Sequence, residues 1–141
     1  MSHPDCADDP TSLPRSEPPL DTDVLQRLRR ELGGSDDGLG QVLSAYLTEL
    51  GSLRDDMRRS SEASDVDPVK YTAHRLGSAS VMVGAIRLAR LCRELELFEG
   101  SSGDERIDGL IASIEAESEA VHNAVAAQLA RSREAISTRP Q

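Results

Sequence analysis

Histidine and cysteine carry much of the nucleophilic and metal-binding chemistry open to a protein near neutral pH. This chain has three of the first and two of the second. His3, Cys6, His74, Cys92 and His122 are scattered, with no ligand spacing among them, so no metal site is expected. Cys92 falls on the apolar stripe of a helical pattern, where a small buried hydrophobe is the simplest reading. His122, beside Val121, has no assignable partner and reads as a surface residue. Glu115, Glu117 and Glu119 read as a solvated face rather than an acid/base pair. No Gly-rich phosphate loop follows a strand, so nucleotide binding is not indicated. His74 remains.

Asp67-Pro68 is a strong helix start, an acidic cap followed by a proline at the first helical position. At about 100° per residue from Val69, the residues Ala73, Leu76, Ser80 and Val83 fall within roughly 40° and define a core stripe. His74 lies near 140° on the same count, on the outer face. Around it stand Lys70, Gly77, Ser78, Val81, Met82 and Ala85, and between Tyr71 and Ile86 the only formal charge is Arg75. An outer helical face normally carries charge; this one is small and apolar. Gly77 in a helix interior costs about 1 kcal/mol against Ala, so close approach rather than local stability explains it. The ring of an exposed histidine is largely neutral and nucleophilic at pH 7. Access and chemistry therefore coincide at His74, and Tyr71, Val81, Met82 and Ala85 are the expected contacts for a visiting protein.

A histidine held in this way needs a rigid frame, and the rest of the chain supplies helices. Residues 1–20, rich in Pro, Ser and Asp, read as a disordered leader with no apolar signal-peptide core. Asp21 caps a short helix carrying Val24, Leu25, Leu28 and Leu32, which Gly33-Gly34 stops. A second helix follows Ser35, with Leu39, Leu43, Tyr46, Leu50, Leu53 and Met57 on one stripe, and ends near Arg59 to Glu62. The helix of His74 ends or bends at Gly84. The next runs from Arg87 to Glu99 with Leu88, Leu91, Cys92, Leu95 and Phe98, and closes at Gly100 to Gly103. Ser102 and Glu105 form a candidate capping box for the last helix, which carries Ile107, Leu110, Ile111, Ile114, Val121, Val125 and Leu129. No segment alternates as a strand would. The expected fold is all-α: an antiparallel four-helix bundle over residues 21–136, a short additional N-terminal helix, and a frayed tail at 137–141.

Charge and composition narrow the partners. A net charge of −9 argues against nucleic acid and against anionic membrane surfaces. The uncharged runs Gly38 to Thr48, Leu76 to Ile86 and Ala120 to Ala130 are all well short of the roughly 18 apolar residues that a membrane span needs. Two isolated cysteines fit a reducing, cytoplasmic setting. Aromatic residues make up only 2% of the chain, so Leu, Val, Ile and Ala must fill the core.

The combination Ala73-His74-Arg75-Leu76, Ser80, Gly84-Ala85, Leu88, Cys92 and Leu95-Glu96 resembles the signature of histidine-containing phosphotransfer (HPt) domains. The resemblance covers about Leu20 to Leu129. It implies a four-helix bundle whose exposed histidine, here His74, accepts a phosphoryl group on Nε2 from a receiver-domain aspartyl phosphate and passes it to another receiver. It implies as partners a response-regulator receiver domain, a hybrid histidine kinase, or both. The bundle itself takes no cofactor; Mg²⁺ is expected on the receiver. There is one departure. The family pattern has Lys three residues after the histidine and Gly four after, where this chain has Gly77 and Ser78. Ser78 stays small, and Lys70, one turn before His74 on the same face, is the candidate replacement for the missing charge. Such a domain carries phosphate rather than acting as an ATP-dependent kinase. Two alternatives stand beside it: an HPt-like module that binds a receiver without turnover, consistent with Gly77, and a purely structural bundle, which leaves the uncharged face unexplained.

Overall fold

Five helices account for most of the described residues: α1 (Thr22–Glu31), α2 (Asp36–Ser61), α3 (Asp67–Met82), α4 (Ile86–Glu96) and α5 (Glu105–Ser137). They are those of a computed structural model that describes residues 17–62, 65–100 and 104–137. Among the described residues there is no strand, and no helix is long and apolar enough to cross a membrane.

The helix starts follow the acceptors that the sequence offers. The Asp21 carboxylate accepts from the Asp23 N–H at 2.9 Å, and the Ser35 hydroxyl from the Gly38 N–H at 3.5 Å. At α3 the arrangement differs from the expected Asp67 cap. Asp67 is already the first helical residue behind Val66, and Asp65, two residues back, accepts from its N–H at 3.0 Å. Ser102 lies outside the described residues; at the start of α5 the Asp104 carboxylate accepts from the Arg106 N–H at 2.9 Å. α4 ends at Glu96 rather than Glu99.

The four long helices pack in ring order, α2 on α3, α3 on α4, α4 on α5 and α5 on α2, while α1 lies against α2. Cross-helix contacts show the neighbours to be antiparallel. Tyr46 and Glu49 of α2 meet Ser80 and Arg75 of α3, at 2.8 and 3.5 Å. All six stripe residues of α2 are buried, as are Val69, Ala73, Leu76, Ser80 and Val83 around α3. Ser80 sits in that core because its hydroxyl shares a hydrogen bond with the Tyr46 phenol, and burial pushes the phenol up to about 12.

Two further placements differ from the sequence expectation. Glu117, read as solvated, is only 3% exposed: it occupies a core-facing turn of α5 between Ile114 and Val121, with the Arg87 guanidinium of α4 3.5 Å away. Burial is tolerable for a carboxylate with that partner. Leu20, at the end of the stretch expected as leader, is buried, and Glu17 pairs with Arg90 at 3.1 Å. The buried Leu20 and the Glu17–Arg90 ion pair help to hold residues 17–20 against the bundle, and residues 1–16 lie outside the described ones.

Gly84 makes the α3–α4 corner. It has φ 83°, and its carbonyl accepts from the Asp21 N–H at 2.8 Å. A Cβ there would stand 3.0 Å from the Asp21 oxygen and 3.1 Å from the Val24 Cβ. Only glycine fits under α1 in this backbone conformation. Gly84→Ala should therefore destabilise the fold by roughly 1–3 kcal/mol, read as a lower urea midpoint; an unchanged midpoint would contradict this account of the corner. A second expectation concerns acid. Burial alone would raise the Glu115 carboxyl, but hydrogen bonds from Arg54 at 2.9 Å and Arg58 at 2.6 Å outweigh it and hold it below its ordinary 4.5. A depressed folded-state pKa contributes stability above 4.5 that disappears as pH falls through the folded value. Glu115→Gln should flatten the fall of the thermal midpoint below about pH 4.5. Parallel curves for the two proteins would show that this cluster contributes nothing.

Candidate functional site

α3 presents His74 between the buried Ala73 and the exposed Arg75, and the His74 side chain is 60% exposed. Its Nδ1 lies 2.8 Å from Oε2 of Glu96, the last residue of α4. An ionised carboxylate can only accept, so Nδ1 is the N–H donor and Nε2 carries the free lone pair. One carboxylate thus sets both the tautomer and the orientation of the ring.

That bond needs α3 and α4 to lie close and in register. Gly77 provides the closeness: a Cβ there would meet the Cys92 Cβ at 3.2 Å and the Ala89 carbonyl at 3.7 Å. The glycine is small because the neighbouring helix fills its space. Cys92 itself is fully buried. Burial, and then the nearby Glu96 charge, push its thiol up to about 12, so it is packing and not a nucleophile.

Between the two helices runs a shallow groove of about 170 Å³. α3 lines it with His74, Gly77, Ser78 and Val81, and α4 with Ala89, Arg93 and Glu96. Tyr71 (65% exposed), Val81 (54%) and Met82 (64%) are the large apolar side chains left open on α3. Four of the residues expected from sequence therefore share one groove, and two more are exposed on the same helix.

The other two go elsewhere. Ala85 is fully buried: the helix ends at Met82 and the chain turns at Gly84, which carries Ala85 into the core instead of onto the outer face. It is not available to a docking partner. Lys70 is half-buried, and its ammonium donates to the Phe98 carbonyl just beyond α4, away from the groove lining. Sequence reasoning missed roles for Glu96 and Arg93. Their spacing from Ala89, four and then three residues, puts all three on one face of α4. The partner of that face appears only once the helices are packed.

The Hpt domain family model matches residues 41–135, and the chain belongs to that family. The crystal structure of histidine-containing phosphotransfer protein B from Pseudomonas aeruginosa is similar, with a TM-score of 0.73 and 26% sequence identity, covering 82% of this chain and 98% of that one. No curated protein matches the sequence significantly. The all-helical bundle and a phosphotransfer role in a phosphorelay follow from family membership.

The tautomer can be observed directly. Proton-coupled ¹⁵N spectra of the His74 ring at neutral pH should show the proton on Nδ1 in the wild type and a loss of that preference in Glu96→Ala. The same tautomer balance in both proteins would mean that Glu96 does not control the ring.

Proposed function

We propose that the chain is a phosphorelay carrier in which Nε2 of His74 takes a phosphoryl group from a receiver-domain aspartyl phosphate and returns it to another receiver. The observation that carries this reading is the exposed ring whose Nδ1–H is committed to Glu96, leaving the Nε2 lone pair free. In the forward step Nε2 attacks phosphorus, the P–N bond forms and the P–O bond to the aspartate breaks. The aspartate leaves as a carboxylate. The ring keeps its Nδ1 proton and becomes cationic, and the Glu96 carboxylate offsets that charge. In reverse, neutral imidazole leaves phosphorus and a receiver carboxylate takes the group. Transfer of this kind depends mainly on positioning and charge stabilisation, which a rigid helix and a fixed ring supply.

The receiver contributes the acidic pocket and Mg²⁺, and this chain contributes the nucleophile and a docking face. Tyr71, Val81 and Met82 offer apolar contact beside the histidine, and the partner is a response-regulator receiver domain, a hybrid histidine kinase, or both. The setting we infer is the cytoplasm, where Cys92 stays a reduced, buried thiol. The absence of a lysine at Gly77 favours a second reading, a module that docks a receiver without turnover.

One assay separates them. Incubated with a phosphorylated receiver, the wild type should gain acid-labile, base-stable label and His74→Gln should gain none. Receiver binding with no label on either protein would establish the docking module instead. Equal label on both would move the acceptor away from His74. Glu96→Ala should accept phosphate about 10- to 100-fold more slowly, the range expected for loss of a charge-assisted hydrogen bond; an unchanged rate would contradict the proposed step.

A further inference from the structure

A phosphoryl group on Nε2 brings about two negative charges into a groove that already holds the Glu96 carboxylate. Opposite charge must offset that accumulation. Most cations around α3 and α4 are engaged elsewhere. Lys70 donates to the Phe98 carbonyl, and Arg75 faces Glu49 at 3.5 Å. Arg87 lies against the buried Glu117, and Arg90 holds Glu17 with both terminal nitrogens, at 3.1 and 3.4 Å. Arg93 differs from all of them. It is exposed, it lines the groove with His74, and among the described residues no hydrogen bond or ion pair occupies its guanidinium.

The register of the two antiparallel helices places it further. Glu96 stands opposite His74, and the backbone of Ala89 and the Cβ of Cys92 stand opposite Gly77. Arg93, one turn before Glu96 on the same face, is therefore carried across from Gly77 and Ser78. Neither of those residues fills the groove, so a long planar side chain from α4 has room to lie over it. A guanidinium suits the task, because its fork of N–H donors matches two phosphoryl oxygens.

We propose that Arg93 is the phosphoryl-binding cation of this site, its guanidinium and the Ser78 hydroxyl holding the oxygens of the group carried on His74. This rests on the reading of His74 as phosphoacceptor. In this protein the positive charge is supplied from α4, across the groove, and not from the histidine's own helix.

Phosphoramidate, a small donor that needs no protein partner, tests the proposal on the full chain. Nε2 attacks its phosphorus, the P–N bond of the donor breaks, and its protonated nitrogen leaves as ammonia while the ring keeps its Nδ1 proton and becomes cationic. ³¹P spectra follow the phosphohistidine as it forms. Arg93→Ala should be phosphorylated about 10- to 100-fold more slowly, the range expected for loss of a charge-assisted hydrogen bond. Arg93→Lys should recover part of the rate, and Lys70→Ala should match the wild type. The ³¹P resonance should also titrate at lower pH in the wild type than in Arg93→Ala, because a guanidinium favours the dianion; a purely structural role would not move it. Equal rates and equal titration in wild type and Arg93→Ala would overturn the assignment alone. No label on His74 in the wild type would overturn the acceptor reading, and the assignment with it.

Discussion

The bond from His74 Nδ1 to the Glu96 carboxylate joins two helices, and most of the surrounding structure can be understood as what that bond requires. Both groups are partly exposed, so its contribution to folding is small. Its effect is on direction. It fixes which nitrogen carries the proton, leaves the lone pair on the other, and sets a carboxylate beside the ring that would offset any positive charge formed there. A 2.8 Å contact between residues 22 positions apart tolerates little sliding of one helix past the other.

The register is held by packing on either side of the site. Ala73, Leu76 and Ser80 from α3 and Leu88, Cys92 and Leu95 from α4 are fully or almost fully buried, and Gly77 lets the two backbones approach. At the corner, α1 sits on Gly84 and fixes where α4 begins. The α2–α5 side carries a different load. Arg54 and Arg58 bind Glu115 and Glu119 there, contacts between helices that supply no groove residue. Charged networks thus stabilise the α2–α5 side of the bundle, while the outer face of α3 beside His74 exposes Tyr71, Val81 and Met82.

The helices were legible because a Leu, Val and Ile stripe repeats every three or four residues, and because Asp21, Ser35, Gly33-Gly34 and Gly84 mark ends by simple backbone chemistry. The outward direction of His74 follows from the same angular count. That count fails at Ala85, since it assumes a helix that runs on past Met82, where α3 stops. It places Lys70 on the right side of α3, but a four-carbon stem lets the ammonium reach the Phe98 carbonyl. Glu117 looks solvated by residue type and is buried by position, because Arg87 on another helix makes its burial tolerable. Glu96 and Arg93 were out of reach for a related reason: their place beside His74 depends on the register between α3 and α4, which no pattern within either helix records.

The central claim is that the ring of His74 reacts through Nε2 while Nδ1 keeps its proton. A ¹⁵N–³¹P correlation spectrum of the phosphorylated protein, labelled in its histidine rings, tests this most directly. The account predicts phosphorus coupled to Nε2 of His74 and none coupled to Nδ1. Coupling to Nδ1, or phosphorus bound to any other residue, would contradict it.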